Sequence, residues 1–242
     1  MTEETFRFQV DEIISESQRV KTFRLRPEGS GLPFHFSPGQ HLGVRPVQPD
    51  LSDAEHEKWR HFSLSSSPSE DCLEITVLKQ GTVSDKMHSL APGDWVEATR
   101  PVGTFILEEV VGHGPVFFAG GIGIAPIRSM IRLCLELQRG EAISLFASFP
   151  SPEQAIYKEE IKAWADRNPR FSCWLTYTGI EARQDAHDAE SHPWDRPFLE
   201  KRIERPLERI YYLCAPRGLM DLIENHLAAM GVAEGRVRRE RW

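Results

Sequence analysis

Four short stretches of this 242-residue chain carry residue types at spacings suited to chemistry. The first is Gly120-Gly121-Ile122-Gly123-Ile124-Ala125-Pro126, directly after the apolar run Pro115 to Ala119. Glycines let a backbone approach a ligand closely, and a helix beginning there would offer unpaired N–H groups and partial positive charge to a phosphate. The second, Arg60-His61-Phe62-Ser63, places a guanidinium, a flat ring and a hydroxyl within four residues. A guanidinium grips a phosphate through charge-assisted hydrogen bonds, a ring stacks on a flat ligand, and a hydroxyl donates or accepts as needed. The third, Gly81-Thr82-Val83-Ser84, has the makings of a second helix start facing an anion. The fourth is Cys214-Ala215-Pro216, a thiol at the end of the apolar run Ile210-Tyr211-Tyr212-Leu213. Each stretch also has a plain structural reading: a tight turn, an alternating strand, a Ser cap, a buried thiol. The Gly-rich stretch is neither the spaced dinucleotide fingerprint nor a Gly-Lys-Ser/Thr phosphate loop, so its neighbours must decide.

Two kinds of element surround these residues. From residue 5 to about 110 the chain reads as short strands: Phe6 to Val10, Val20 to Arg26, His41 to Val44, Phe62 to Leu64, Leu73 to Leu78 and Trp95 to Ala98. Turn signals such as Ser37-Pro38-Gly39-Gln40 and Ala91-Pro92-Gly93-Asp94 separate them, which indicates a small barrel or sandwich. Val83 to Leu90 reads as a short helix, and Asp50 to Lys58 as a loop or surface turn. Beyond Val111-Gly112-His113-Gly114 strands alternate with helices, the pattern of a parallel sheet covered by helices. The expected strands are Pro115 to Ala119, Ala142 to Ala147, Phe171 to Tyr177 and Ile210 to Leu213. The expected helices start at Pro126, with Gly140 as C-terminal cap, and span Gln154 to Arg167 and Leu219 to Met230. Residues 180–206 give no pattern. The expected domains are 1–110 and 111–242.

Bulk properties exclude several classes. Apolar residues make up 40% and aromatics 10%, enough for packed cores. The net charge of −7 argues against nucleic acid as the main partner. No stretch reaches the length of a transmembrane segment, and the acidic start Met1-Thr2-Glu3-Glu4 lacks an export signal, so a cytoplasmic location is expected. Cys72, Cys134, Cys173 and Cys214 stand far apart, which disfavours a clustered metal or iron–sulfur site.

A β domain followed by an α/β domain, with these motifs in this order, resembles the ferredoxin–NADP reductase family of flavoproteins. The resemblance covers nearly the whole chain. It implies a Greek-key antiparallel barrel that binds flavin, FAD rather than FMN, followed by a parallel-sheet domain that binds a nicotinamide dinucleotide. Arg60, His61, Phe62 and Ser63 match the family's Arg-x-Tyr-Ser, whose Arg binds flavin phosphate, whose ring lies on the isoalloxazine and whose Ser sits near the reactive nitrogen. Gly81, Thr82, Val83 and Ser84 resemble the segment that holds the flavin pyrophosphate. Gly120, Gly121, Gly123, Ala125 and Pro126 match Gly-Gly-x-Gly-x-Thr-Pro, with Ala125 replacing Thr. Cys214 matches the Cys of Cys-Gly-Pro, near the reacting nicotinamide carbon. Trp242 resembles the terminal aromatic that covers the flavin. Ser148 matches a Ser that contacts the 2′-phosphate in NADPH users, but Phe149 follows where they place Arg and Glu153 adds negative charge, so NADH is expected in preference to NADPH. The implied activity is hydride transfer from nicotinamide to FAD, Ser63 and Cys214 flanking the chemistry, then electron transfer to a separate acceptor: a ferredoxin, an oxygenase component or a small molecule. No fused iron–sulfur domain is expected within these residues. The Ala125 and Ala215 substitutions keep open a second reading, a non-catalytic flavin- or nucleotide-binding regulatory subunit.

Overall fold

The computed structural model describes residues 4–47, 59–108, 113–138, 140–179 and 194–240. Two compact units emerge. One comprises Met1–Leu107 together with Arg128–Leu133, the other Glu108–Ile127 and Cys134–Trp242.

The first unit is an antiparallel barrel. Its strands are β1 (Thr5–Ser17), β2 (Val20–Pro27), β3 (His41–Val47), β4 (Arg60–Ser63), β5 (Leu73–Leu78) and β6 (Trp95–Thr99), in the sheet order β4-β3-β6-β1-β2-β5. A bridge between Leu64 and Ile75 joins the two ends of that order and closes the sheet. Closure removes edges that would otherwise be open to pairing. Inward-facing Phe8, Val10, Phe23, Leu25, Leu42, Val44, Ile75, Val77 and Val96 fill the interior. Helix α1 (Thr82–Ser89) buries Met87 against this core. The β1 strand runs seven residues past the expected Val10, through two register shifts, between Val10 and Glu12 and between Ser15 and Ser17. Those irregularities break the apolar–polar alternation, which is why Asp11–Ser17 carries no strand signature.

Buried charge ties the barrel strand β5 to Arg128 and Arg132. Glu74 is fully buried and meets Arg24, Arg128 and Arg132. Ser129 Oγ donates to the Ser66 carbonyl at 2.5 Å.

The second unit is a five-stranded parallel sheet, β7 (Pro115–Gly120), β8 (Ile143–Phe149), β9 (Phe171–Tyr177), β10 (Ile210–Cys214) and β11 (Val237–Glu240), in the order β11-β10-β7-β8-β9. Helices α3 (Lys158–Arg167), α4 (Arg196–Arg202) and α5 (Arg217–Ala229) belong to this unit, as do the two ends of α2 (Ile124–Leu137), whose middle, Arg128–Leu133, falls in the first. Phe118 stacks on Phe146 at 4.8 Å and Phe146 on Trp174 at 4.6 Å, with Trp194 edge-on to the first two. Leu199, Met220, Ile223 and Leu227 cover this layer. Full burial of each such side chain stabilises by about 1.5–3 kcal/mol.

Several boundaries differ from the sequence expectation. Helix α2 begins at Ile124, two residues before Pro126, after a 3-10 turn over Gly121–Gly123. Pro126 still costs no hydrogen bond, because the first four helical N–H groups have no intrahelical acceptor. Its C-cap is Gln138 in the left-handed region, not Gly140, which lies in the following loop. The expected helix from Gln154 is split: Tyr157 is left-handed, and α3 starts only at Lys158. The unpatterned region contains α4, capped by Asp195, whose carboxylate accepts from the Phe198 N–H. Residues 48–58 and 180–193 lie outside the described residues.

Candidate active site

In the second unit the motif residues converge at the carboxyl ends of adjacent parallel strands. Gly120 ends β7, Ser148 sits opposite it on β8, and Cys214 ends β10 opposite Ala119. Carboxyl ends of parallel strands are where open α/β sheets bind ligands. Each glycine of the turn has its own physical reason. A Cβ on Gly123 would lie 2.1 Å from the Cys214 carbonyl oxygen and 3.1 Å from its Sγ. A Cβ on Gly120 would meet Pro216 Cδ at 2.6 Å and Ala215 Cβ at 2.9 Å. Gly121 has φ +53 and open space above it, a left-handed position that presents backbone rather than side chain. Gly120 and Gly123 thus let the turn close on Cys214-Ala215-Pro216, and Gly121 leaves room in front of it. Ala125 and Pro126 are buried within α2, and Ser148 and Cys214 are buried as well.

Glu240 joins this row. It ends β11 in register with Cys214, and burial pushes its carboxyl above the usual carboxylate range. Sequence reasoning left it out of the site because only the β10–β11 pairing brings it there. Val237–Glu240 is an ordered edge strand, Arg238 is bound through two nitrogens to Glu108, and Arg239 pairs with Glu224. Trp242 lies outside the described residues.

At the end of β8, Phe149 is 1% exposed. Its ring belongs to the core, so the position where NADPH users place Arg offers no side chain to the surface. The groups on the surface are Glu153, which is exposed, and Ser151, whose Oγ donates to Glu153 at 2.7 Å. That hydrogen bond leads the effects that hold the Glu153 carboxyl below its usual range.

In the barrel, β4 carries the second motif. Arg60 and His61 are exposed, Ser63 is half-buried, and Phe62 is 9% exposed among the core residues. The His61 ring packs edge-on against His41 at 5.2 Å. Burial, and then the neighbouring His61, lower the His41 pKa. At α1, Gly81 has φ 98 and serves as N-cap without a side-chain bond. Asp85 N–H is the first to close onto Gly81, so the N–H groups of Thr82, Val83 and Ser84 have no intrahelical acceptor. The Ser84 hydroxyl is committed locally: it accepts from Gln80 N–H at 2.7 Å and donates to the Gly81 carbonyl at 2.8 Å. What this helix start offers an anion is therefore backbone N–H, not that hydroxyl.

Among the described residues no cluster of side chains could hold a metal ion, and no helix is long and apolar enough to cross a membrane.

Comparison with known proteins gives the class. Residues 7–106 match an oxidoreductase FAD-binding domain, and residues 117–225 match an oxidoreductase NAD-binding domain. The chain thus carries an oxidoreductase FAD-binding domain followed by an oxidoreductase NAD-binding domain, with the fold of the ferredoxin–NADP reductase-like flavoproteins. The FAD/NAD-binding domain of nitric oxide dioxygenase from Vibrio cholerae superposes with a TM-score of 0.83 at 24% identity, covering 98% of both chains. A ferredoxin NADP+ reductase from Neisseria gonorrhoeae with bound FAD and NADP gives 0.78 at 19% identity, covering 98% of each. In sequence, the flavohemoprotein of Bordetella pertussis is 29% identical over 243 residues, 96% of this chain and 59% of that protein. The flavohemoprotein of Bacillus subtilis is 26% identical over 228 residues, covering 93% of this chain and 56% of its own length. The chain therefore spans little more than half the length of these curated relatives.

Proposed function

We propose that this chain takes hydride from NADH onto FAD and passes electrons to an acceptor held outside these residues. The observation that carries the reading is the row formed by the Gly120–Gly123 turn, Ser148, Cys214 and Glu240 at the carboxyl ends of four neighbouring strands, following a barrel with an exposed Arg60. FAD, when bound, supplies the hydride-accepting and one-electron chemistry. The chain's own residues bind and orient. Arg60, with no partner among the described residues, and the N–H groups of Thr82, Val83 and Ser84 would hold flavin phosphate, and the Ser63 hydroxyl would serve the flavin ring edge. Gly121 and the start of α2 would take the dinucleotide phosphates, and Ser148 its ribose side. Cys214, with its backbone against Gly123, would border the nicotinamide. Residues 1–110 and 111–242 then form the flavin and nicotinamide halves, in a cytoplasmic protein. The flavohemoprotein relatives direct the first search for an acceptor to a haem protein, before a ferredoxin or a small molecule. Steady-state reduction of an artificial one-electron acceptor by NADH tests the proposal. Flavin-dependent turnover is expected, and its absence in a flavin-loaded protein would favour a regulatory subunit.

Two further results are expected. Arg60→Ala removes a charge-assisted phosphate contact worth about 1.5–3 kcal/mol. Flavin should bind about ten- to a hundredfold more weakly, by equilibrium titration of the apoprotein, with the released cofactor identified as FAD by mass. Unchanged affinity would remove Arg60 from the site. For the nucleotide, kcat/KM should be higher with NADH than with NADPH, because Glu153 stands exposed after β8 and no cation follows Ser148 in sequence before Lys158. Glu153→Gln should narrow the gap, and a wild-type preference for NADPH would refute the assignment.

A further inference from the structure

The opposite end of the parallel sheet holds a second candidate site. A cavity of about 350 Å3 lies where the strands begin, lined by His113, Glu141, Arg170, Glu204, Arg205 and Arg209 among others. Glu141 lies two residues before β8, Arg170 immediately before β9, Arg209 immediately before β10, and His113 two residues before β7. These strands are consecutive in the sheet, so four loops converge there.

Arg209 is the unusual member. It is 3% exposed. Its Nη2 donates to the Ala142 carbonyl at 2.8 Å and, more weakly, to the Pro115 carbonyl and Ser144 Oγ at 3.3 Å, which fixes the guanidinium plane. Its Nε is buried with no hydrogen-bond partner, and no carboxylate of the described residues pairs with its charge. Burial lowers the Arg209 pKa, and Tyr211 and Glu204 oppose this only at longer range. A buried cation without a counter-ion is costly, and structures keep one where something compensates it. The cationic side chains around the same cavity, Arg170 and Arg205, are exposed. Arg205 is held in the left-handed region at φ 50, with its Nη1 3.1 Å from His113 Nε2. Glu208 lies 2.8 Å from His113 and pairs with Arg205 Nη1 at 3.8 Å, so it offsets part of the charge at the rim and none of that of Arg209.

We propose that this cavity binds a small oxyanion-bearing molecule, a phosphate or carboxylate compound, whose charge compensates Arg209 and is gripped at the rim by Arg170 and Arg205. The site is distinct from the carboxyl-end row and does not depend on the reductase reading. Its volume exceeds that of a bare ion and falls near the lower end of small-molecule pockets. Glu141 and Glu204 in the lining disfavour highly charged polyanions and leave room for a ligand that also carries hydroxyl or amino groups.

The test uses the flavin-loaded protein saturated with NAD+, so that the cofactors' own phosphate sites are filled. Thermal unfolding is followed while inorganic phosphate, or separately malonate, is titrated at constant ionic strength against chloride. A saturable rise in Tm of several degrees is expected with at least one of them, phosphate alone indicating a phosphate ligand and malonate alone a carboxylate. The double substitution Arg170→Gln/Arg205→Gln alters only exposed side chains and should keep the parent Tm in chloride while losing the anion-dependent rise. No rise beyond chloride with either probe, or an equal rise in the double variant, would overturn the proposal.

Discussion

Gly123→Ala is expected to abolish nicotinamide-nucleotide binding and to cost the second unit about 3 kcal/mol or more, the upper end of overpacking penalties. The backbone angles at Gly123, φ −61 and ψ −8, suit any residue. The obstacle is space alone: the new Cβ would sit 2.1 Å from the Cys214 carbonyl oxygen and 2.7 Å from its carbon. Those are backbone atoms of β10, which pairs with both β7 and β11, so they cannot retreat without breaking two ladders. Gly218→Ala is the matched control. Gly218 lies in the first turn of α5 with nothing near its missing Cβ. There the substitution should stabilise by about 0.4–1 kcal/mol by restricting the unfolded chain. Chemical denaturation and nucleotide titration of both variants check the pair. A stable, nucleotide-binding Gly123→Ala protein would show that the turn does not close on Cys214 as described.

Glu74→Gln is expected to destabilise the barrel unit by about 3–5 kcal/mol, the usual cost of leaving a buried ion pair half made. Glu74 is fully buried and serves Arg24, Arg128 and Arg132 together. By contrast, Arg100→Ala breaks a half-exposed pair with Glu4 and should cost no more than about 1 kcal/mol. Acid sensitivity should change too. Burial pushes the Glu74 carboxyl up, but the charge and hydrogen bond of Arg128, with Arg24 and Arg132, outweigh it and leave the pKa below the ordinary value. A carboxyl with a depressed folded pKa contributes stability that is complete above its unfolded value, near 4.3, and is lost as pH falls through the folded one. Stability of the parent should therefore decline below about pH 4–5 more steeply than that of Glu74→Gln. Parallel acid-unfolding curves for the two proteins would contradict this role for Glu74.

Most of the second unit could be read in advance because its signals are local. An apolar run, three glycines and Ile127, Met130 and Ile131 at helical spacing specify β7, the turn and α2 within about twenty residues. The misplaced boundaries arose where a local rule had a competitor. Gln138 takes the left-handed cap expected at Gly140, and Tyr157 adopts a left-handed conformation in mid-pattern. Helix α4 did leave a signal, Asp195 followed by Pro197, which marks a capped first turn, but the charged residues before it hid the start. The site divides in the same way. Gly120, Gly123, Ser148 and Cys214 stand at motif positions that single stretches reveal. Glu240 and Arg209 do not, because the first depends on a pairing between Cys214 and a strand 26 positions later, and the second on four loops that only the sheet assembles. Phe149 stands in the sequence where NADPH users place Arg, and only the fold shows that its ring is in the core.

The most direct measurement is anaerobic addition of NADH to the purified, FAD-loaded protein while the flavin absorbance is recorded. Hydride transfer within this chain predicts that the yellow oxidised band bleaches on adding one equivalent of NADH and returns when oxygen or an electron acceptor is admitted. A band that neither NADH nor NADPH bleaches, while dithionite does, would contradict the reductase and leave a flavin-binding subunit without the reaction.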